Sequence, residues 1–600
     1  MDRNQATGLI LFAAVILIYS IFFAESQPVT EEIEPVQTEV TESSPTDEVT
    51  AVQESELSQS DSLDNDRIEK YGALATITLG EEKLSTLEND KIKVSISSRG
   101  GEIKEVILKE YLSLNEEPLD LISEGRSEMV FTAMTSKGEI ELNDLNLSPS
   151  LSTRETEDGD AQILTLEGAT ESGSVSIVYT LLPGKYELQK QFNSSSSQGL
   201  FTENSIKLSW SDEIKAHERD LAESRRKTQI NYYTSSGDYD NLGVSDDTER
   251  DAPEESLKWV GFSQRFFTAG IIADGSFSKA SFTQSTPVQD SSTVRIMEAE
   301  IEIPLENGAY ALNYYFGPDS YNGLKKVTEG FENNVDMGYF FVSWVNKYII
   351  VNLFAFLEKY FNNYGIIIVL IVLIIKLALS PLTYKSYIGM AKMRVIKPEI
   401  DELKEQYGDD QTKMQQEQMK LFSKLGVSPI SGCLPLLLQM PFLFAMFFFF
   451  PNAIELRGES FLWADDLSTY DTFINLPFTI PFYGSHVSLF TLLMTVSQIA
   501  YTHFNNQLTT AAGPMKNIGY IMPVMFMFVL NSYPAGLSFY YFVSNMVTFG
   551  QQAAIKLAVD DTKIRQKVEE SKIKNANKKK SKFQQRLEDA MKAAEANKKK

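Results

Sequence analysis

Between Tyr364 and Leu382 the chain reads YGIIIVLIVLIIKLALSPL, apolar enough to span a bilayer except at Lys376. A lysine at that depth costs roughly 2.5–3.5 kcal/mol even on insertion scales, so a cation placed there usually faces water or a partner and has a task. The plainer alternative is snorkelling, in which the four-carbon stem lifts the ammonium to the headgroups. Four further apolar stretches, Pro429–Phe450, Val487–Phe504, Ile518–Tyr533 and Ala535–Val559, carry polarity of their own. It comprises Gln439, Ser497, Gln498, Thr502, Ser544, Asn545, Thr548, Gln551 and Gln552. Ser544, Thr548 and Gln551 step by four and three and share one helical face, and Tyr541 lies one turn before Ser544 and Asn545. In hydrocarbon such groups need partners or water. Spread over several spans beside a cation, they describe a hydrated cavity, with hydrogen bonding in a packed bundle as the alternative.

These spans contain no Asp or Glu, which argues against a proton or sodium pump. No HExxH, GxxxxGK[ST] or GxSxG occurs, so ATP hydrolysis and intramembrane proteolysis are unsupported and the chain reads as a non-enzyme with no cofactor. Cys433 is the single cysteine, which excludes an intramolecular disulfide. The three histidines, His217, His486 and His503, are too far apart in sequence to suggest zinc.

The elements that must position this polarity follow from the rest of the 600 residues, too many for one compact core. Gly8–Ala24 reads as an uncleaved anchor, since Phe22 occupies the place where signal cleavage wants a small residue. Residues 25–66, acidic and rich in Ser, Thr, Gln and Pro, read as a disordered linker. Over 67–335 short alternating runs recur: Lys91–Ser97 and Ile103–Leu108 around a Gly100-Gly101 bend, then Ala161–Leu166, Ser174–Leu182, Tyr186–Phe192 and Ile296–Ile303. They predict one large all-β sandwich, with the polar stretch 217–256 as a loop excursion. Within 336–363, VSWVNKYIIVNLFAFLEKYF spaces its apolar residues for a helix lying in the headgroup plane, with a last helix of the soluble domain as the alternative.

Residues 364–559 are membrane-like. Inside them, 384–425 predicts a helical hairpin, with one face of the first helix marked by Met393, Ile396, Ile400, Leu403 and Tyr407. Pro398 should kink that helix or mark its true start. The segment 383–424 carries eight Lys/Arg and the loop 451–486 only Arg457. The tail 556–600 has 15 Lys/Arg against 7 Asp/Glu, although the whole chain is at −26. The positive-inside rule then puts the hairpin and both termini in the cytoplasm and 25–363 in the periplasm, with six spans. The basic tail, 560–600, with its lysine clusters 578–580 and 598–600, suits ribosomal RNA or anionic phospholipid, with a plain positive-inside anchor as the alternative. No DNA partner is expected.

Long stretches of this chain resemble the YidC membrane-protein insertases of the YidC/Oxa/Albino group. They are PLTYKSYIGMAKMRVIKPEI (381–400), GDD (408–410), PISGCLPLLLQMPFLFAMF (429–447), ELRGESFLWADDLS (455–468) and PAGLSFYYFVSNMVTFGQQ (534–552). WVGFSQRFF (259–267) and YFGPDSY (315–321) are similar to the periplasmic domain of Gram-negative members. The resemblance implies a multi-pass α-helical inner-membrane protein with a five-helix insertase core and a periplasmic β-sandwich. It also implies a groove open to the cytoplasm and to lipid, in which a cation attracts hydrophilic parts of nascent membrane proteins. On that reading Lys376, Gln439, Gln498, Tyr541, Ser544, Asn545 and Thr548 line the groove, and the partners are nascent chains, the Sec translocon and the ribosome. Many members have arginine where Lys376 stands. Lysine keeps the charge and loses the fork. The substrate-contacting polar residue one turn before the cation is Val372 here, so that role is not carried over. A small-solute transporter is the alternative, and 364–559 shows no internal repeat to support it. A periplasmic scaffold merely tethered by its spans is a third.

Overall fold

The computed structural model describes residues 65–576, apart from 172, 197–199, 409, 426, 428–433, 482 and 509–513. The anchor Gly8–Ala24, nearly all of the linker, Cys433 and the terminal lysine clusters lie outside the described residues.

The N-terminal half is built from strands whose side chains alternate. Ser127–Thr135 buries every second residue along its whole length, as period-two patterning requires of a strand covered on one face. Nine antiparallel strands form the larger sheet. From edge to edge they are Tyr239–Asn241, Gln229–Thr234, Leu257–Ser263, Phe267–Phe277, Ala309–Pro318, Glu187–Ser196, Gly173–Leu181, Gly159–Thr170 and Ser148–Thr156. Six strands face it: Glu249–Asp251, Lys279–Ser285, Thr293–Pro304, Ser205–Lys215, Ser127–Thr135 and Gly138–Glu141. Between the sheets Trp210 stacks on Phe262 at 3.7 Å and Phe131 stacks on Tyr310 at 6.3 Å, so the predicted sandwich is present. A separate four-stranded sheet begins it and contains the expected hairpin. Ile92–Ser97 pairs with Ile103–Leu112, and Gly100 and Gly101 turn at φ 58° and 66°, a conformation that glycine adopts without steric cost.

The stretch 217–256 corrects an expectation. It is not a loop excursion. Helix α1 (Leu221–Lys227) is capped by Asp220, which accepts from the Glu223 amide at 3.0 Å. Gln229–Thr234 is an interior strand of the large sheet. Its polar groups are satisfied by distant residues: Asn231 donates to Asn334 (2.8 Å), and Gln284 accepts from the Ile230 amide (2.9 Å). Local polarity hid a strand whose partners come from elsewhere in the chain.

After the short helix α2 (Tyr321–Leu324) comes α3 (Phe340–Glu358), which is long and apolar enough to cross a membrane and contains one π-turn at Asn346–Ile350. Its Val345, Ile350, Phe354 and Leu357 are buried, whereas Phe340, Trp344, Tyr348 and Phe356 are exposed. Buried Asn346 pins it by donating to the carbonyls of Met337 (3.1 Å) and Ala445 (2.9 Å).

The helices that follow are α4 (Tyr364–Ala378), α5 (Ser380–Val395), α6 (Lys397–Tyr407), α7 (Gln411–Leu425), α8 (Leu434–Asn452), α9 (Leu489–Leu508), α10 (Pro514–Leu530), α11 (Ala535–Ala558) and α12 (Asp561–Ala576). The first predicted span is broken: α4 and α5 meet at 61°, because Pro381 opens α5 and cannot continue the hydrogen-bond ladder of α4. Pro398 likewise marks the true start of α6, which leaves Met393 on α5 and makes the hairpin proper α6–α7. Tyr387, Met390, Ile396, Ile400, Phe422 and Leu425 form a small core. Ile564 and Val568, one helical turn apart on α12, are buried in it. The segment read as basic tail therefore begins with a packed helix.

Candidate functional site

Asn363 starts α4 by accepting from the Ile366 amide at 3.0 Å. The inward face of α4 is then Gly365, Ile368, Val372, Ile375 and Lys376, spaced by three and four. That spacing turns the cation into the bundle, about 18 Å along the helix from Tyr364. Lys376 is 6% exposed, so its side chain lies inside the bundle. Its Nζ donates to Thr548 Oγ1 at 2.9 Å, and Gln551 Nε2 donates to the Lys376 carbonyl at 2.9 Å. Among the described residues no carboxylate lies within ion-pairing distance of it. An ammonium has three donors, so two remain for groups other than Thr548.

Helix α11 organises the site. Thr548 donates back to the Ser544 carbonyl (2.7 Å), and Ser544 Oγ accepts from Gln439 of α8 at 3.5 Å. Asn545 donates to Ser497 of α9 (2.9 Å), and the Tyr541 hydroxyl donates to the Leu443 carbonyl of α8 (2.7 Å). Of the seven residues expected in the groove, Lys376, Thr548, Ser544 and Gln439 form one chain of contacts. Asn545 and Tyr541 tie α11 to its neighbours, and Gln498 is half-buried outside this set. Among the described residues no group of three His, Cys, Asp or Glu side chains is placed to hold a metal ion.

A second polar set, unforeseen in the sequence, closes the end of the bundle that faces the β-sandwich. Asp471 accepts from the Leu489 and Phe490 amides (2.8 and 3.1 Å) and from Trp463 Nε1 (2.9 Å), and Ser488 Oγ also donates to it. It thereby caps α9, where a carboxylate complements the helix dipole. Asn531 accepts from the Ser488 amide and donates to the carbonyls of Tyr483 and His486. Nothing local marks Asp471, which stands 18 residues before the helix that it caps.

The first of the two β-domain motifs meets this end through Arg265, and the second stays within the β-domain. Arg265 is 6% exposed and donates to the Ser468 carbonyl at 2.8 Å. Asp319 is buried and accepts from Thr268 at 2.7 Å.

A β-sandwich docked on a helical bundle that buries a lysine among amides and hydroxyls defines a class: helical membrane proteins with an extracytoplasmic β-domain and a polar interior. Residues 356–563 match the 60Kd inner membrane protein family and residues 84–351 the YidC periplasmic domain. A membrane protein insertase YidC of Amoebophilus asiaticus is 41% identical over 100% of both chains. One of Cytophaga hutchinsonii is 39% identical over 99% of this chain and 98% of its own. A crystal structure of an active YidC insertase aligns with 82% of this chain and 97% of its own at 17% identity and TM-score 0.32. This chain belongs to the YidC membrane protein insertase family, and its β-sandwich is the periplasmic domain of that family.

Proposed function

We propose that this protein inserts nascent membrane proteins into the bacterial inner membrane, alone or beside the Sec translocon, by lowering the cost of carrying their hydrophilic segments through the bilayer. The observation that carries the reading is Lys376, buried on α4 against Thr548 with no acidic partner among the described residues. A cation so placed attracts an acidic tail, and the hydroxyls and amides of α8, α9 and α11 replace part of the tail's hydration. The apolar segment then partitions into lipid, worth about 25 cal/mol per Å² of apolar surface. The membrane potential pulls acidic tails outward by about 2.3 kcal/mol per charge per 100 mV. No nucleotide is needed. α4, α8, α9, α10 and α11, with Gly8–Ala24, make six spans, both termini are cytoplasmic, and α3 lies against the outer face of the bilayer. The hairpin α6–α7 receives the chain, and the basic residues after Ala576 contact the ribosome and anionic phospholipid. Family membership leaves the transporter alternative without support.

The test is reconstitution of the purified protein in liposomes without ATP or Sec components, followed by a single-span substrate with an acidic tail. Protease protection of the tail that requires this protein is the expected result. Absence of protection that persists when the translocon is added would overturn the reading.

A further inference from the structure

Between α2 and α3 lies a cavity of about 590 Å³ lined by Asn322, Lys325, Lys326, Asn352, Phe356 and Lys359, together with Ala355. Three lysines in one cavity with no carboxylate in its lining is unusual in a chain whose net charge is −26. None of the three forms an ion pair among the described residues, although nearby Lys258 pairs with Glu329 at 2.8 Å. The cavity selects for a negative ligand by charge. Its α3 wall also carries apolar surface, at Ala355 and Phe356. Asn352, Ala355, Phe356 and Lys359 fall on one helical face, and Phe356, 54% exposed, packs against the Tyr360 ring at 5.3 Å. A soluble anion has no use for exposed aromatic surface beside its cations. A phosphodiester carrying acyl chains uses both, and aromatic rings beside lysines are the composition of a membrane interface.

We propose that this cavity is a headgroup site for an anionic phospholipid of the periplasmic leaflet, its phosphate held by Lys325, Lys326 and Lys359 and its chains lying against Phe356 and Tyr360. The site rests on the reading that α3 lies against the bilayer, and it is separate from any lipid contact made by the basic tail.

The experiment uses the full chain in vesicles doped with photoactivatable phosphatidylglycerol or, in parallel, photoactivatable phosphatidylcholine. Crosslinks to peptides 322–326 and 352–359 are expected at about tenfold higher yield from phosphatidylglycerol, because each lysine near the surface favours anionic lipid. The variant K325Q/K326Q/K359Q should lose that preference while its melting temperature and its crosslinks at the basic tail stay unchanged. Equal yields from the two lipids, or an unchanged preference in the variant, would overturn the site. Displacement by millimolar glycerol phosphate would show a soluble-anion site and overturn the lipid assignment. Quenching of Trp344 by brominated lipid checks α3 separately. Quenching without lipid preference rejects the site alone, whereas no quenching rejects the placement of α3 on which it rests.

Discussion

Arg457 and Glu218 meet at 2.7 Å across the seam between the helical bundle and the β-sandwich, with 9% and 13% of their side chains exposed. Arg457 also donates to the Leu112 carbonyl at 2.9 Å and lies over the Phe267 ring. The one Lys or Arg of the loop 451–486 thus helps to fasten the domain above it. Removing one partner of a buried pair leaves a charge without compensation and costs about 3–5 kcal/mol. R457A should therefore lower the unfolding midpoint of the purified protein by several degrees. The double variant R457M/E218L should lose less, since apolar replacement of both partners is often near neutral. Equal losses from the single and double variants would argue against the pair as a fastener.

Asp319 gives the periplasmic domain a pH dependence of unusual sign. Burial pushes its carboxyl up to about 8, against the lowering effect of the Thr268 hydroxyl, whereas an unfolded aspartate titrates near 3.9. Between those values the folded state holds a proton that the unfolded state lacks. The stabilising contribution is full below about 4, falls as pH rises and is gone above about 8. Melting curves from pH 5 to 9 should show the midpoint falling in the wild type and a flatter profile in D319N. An identical slope in both would refute a protonated Asp319.

Lys376 separates charge from geometry. K376R keeps the cation and should support insertion in cells depleted of the native protein. K376A should impair it, and K376E, which repels acidic tails, should impair it about tenfold or more. Normal growth with K376E would remove the buried cation from the mechanism.

Ile564 and Val568 test the C-terminal helix. Truncating a buried isoleucine to alanine costs about 2–5 kcal/mol. In I564A the loss should appear as faster hydrogen exchange in α6 and α7, far away in sequence. Unchanged exchange there would mean that α12 packs on the hairpin without supporting it.

Much of this architecture was legible because its signals are periodic. The strands alternate, the helices keep three-and-four spacing, and Ser544, Thr548 and Gln551 share a face that can be read from spacing alone. Thr548 and Gln551 then proved to be the residues that hold Lys376. What stayed hidden depends on partners distant in the chain. Gln229–Thr234 looks like loop until Asn334 and Gln284 supply its hydrogen bonds. Asp471 looks like surface until it caps α9. The apolar pair Ile564 and Val568 is easily lost among lysines and glutamates, and only the core of the hairpin gives it a meaning.

The packing of α12 also sets an order of events in synthesis. Leu425 ends the hairpin, and Asp561 begins the helix that completes its core roughly 135 residues later. At about 5–20 residues per second, the hairpin waits on the order of ten seconds with apolar side chains uncovered. In that interval every helix from α8 to α11 must be made. The core of the hairpin is thus closed by a helix made after all of these, and a chain cut short after α11 would carry its apolar helices but an open hairpin.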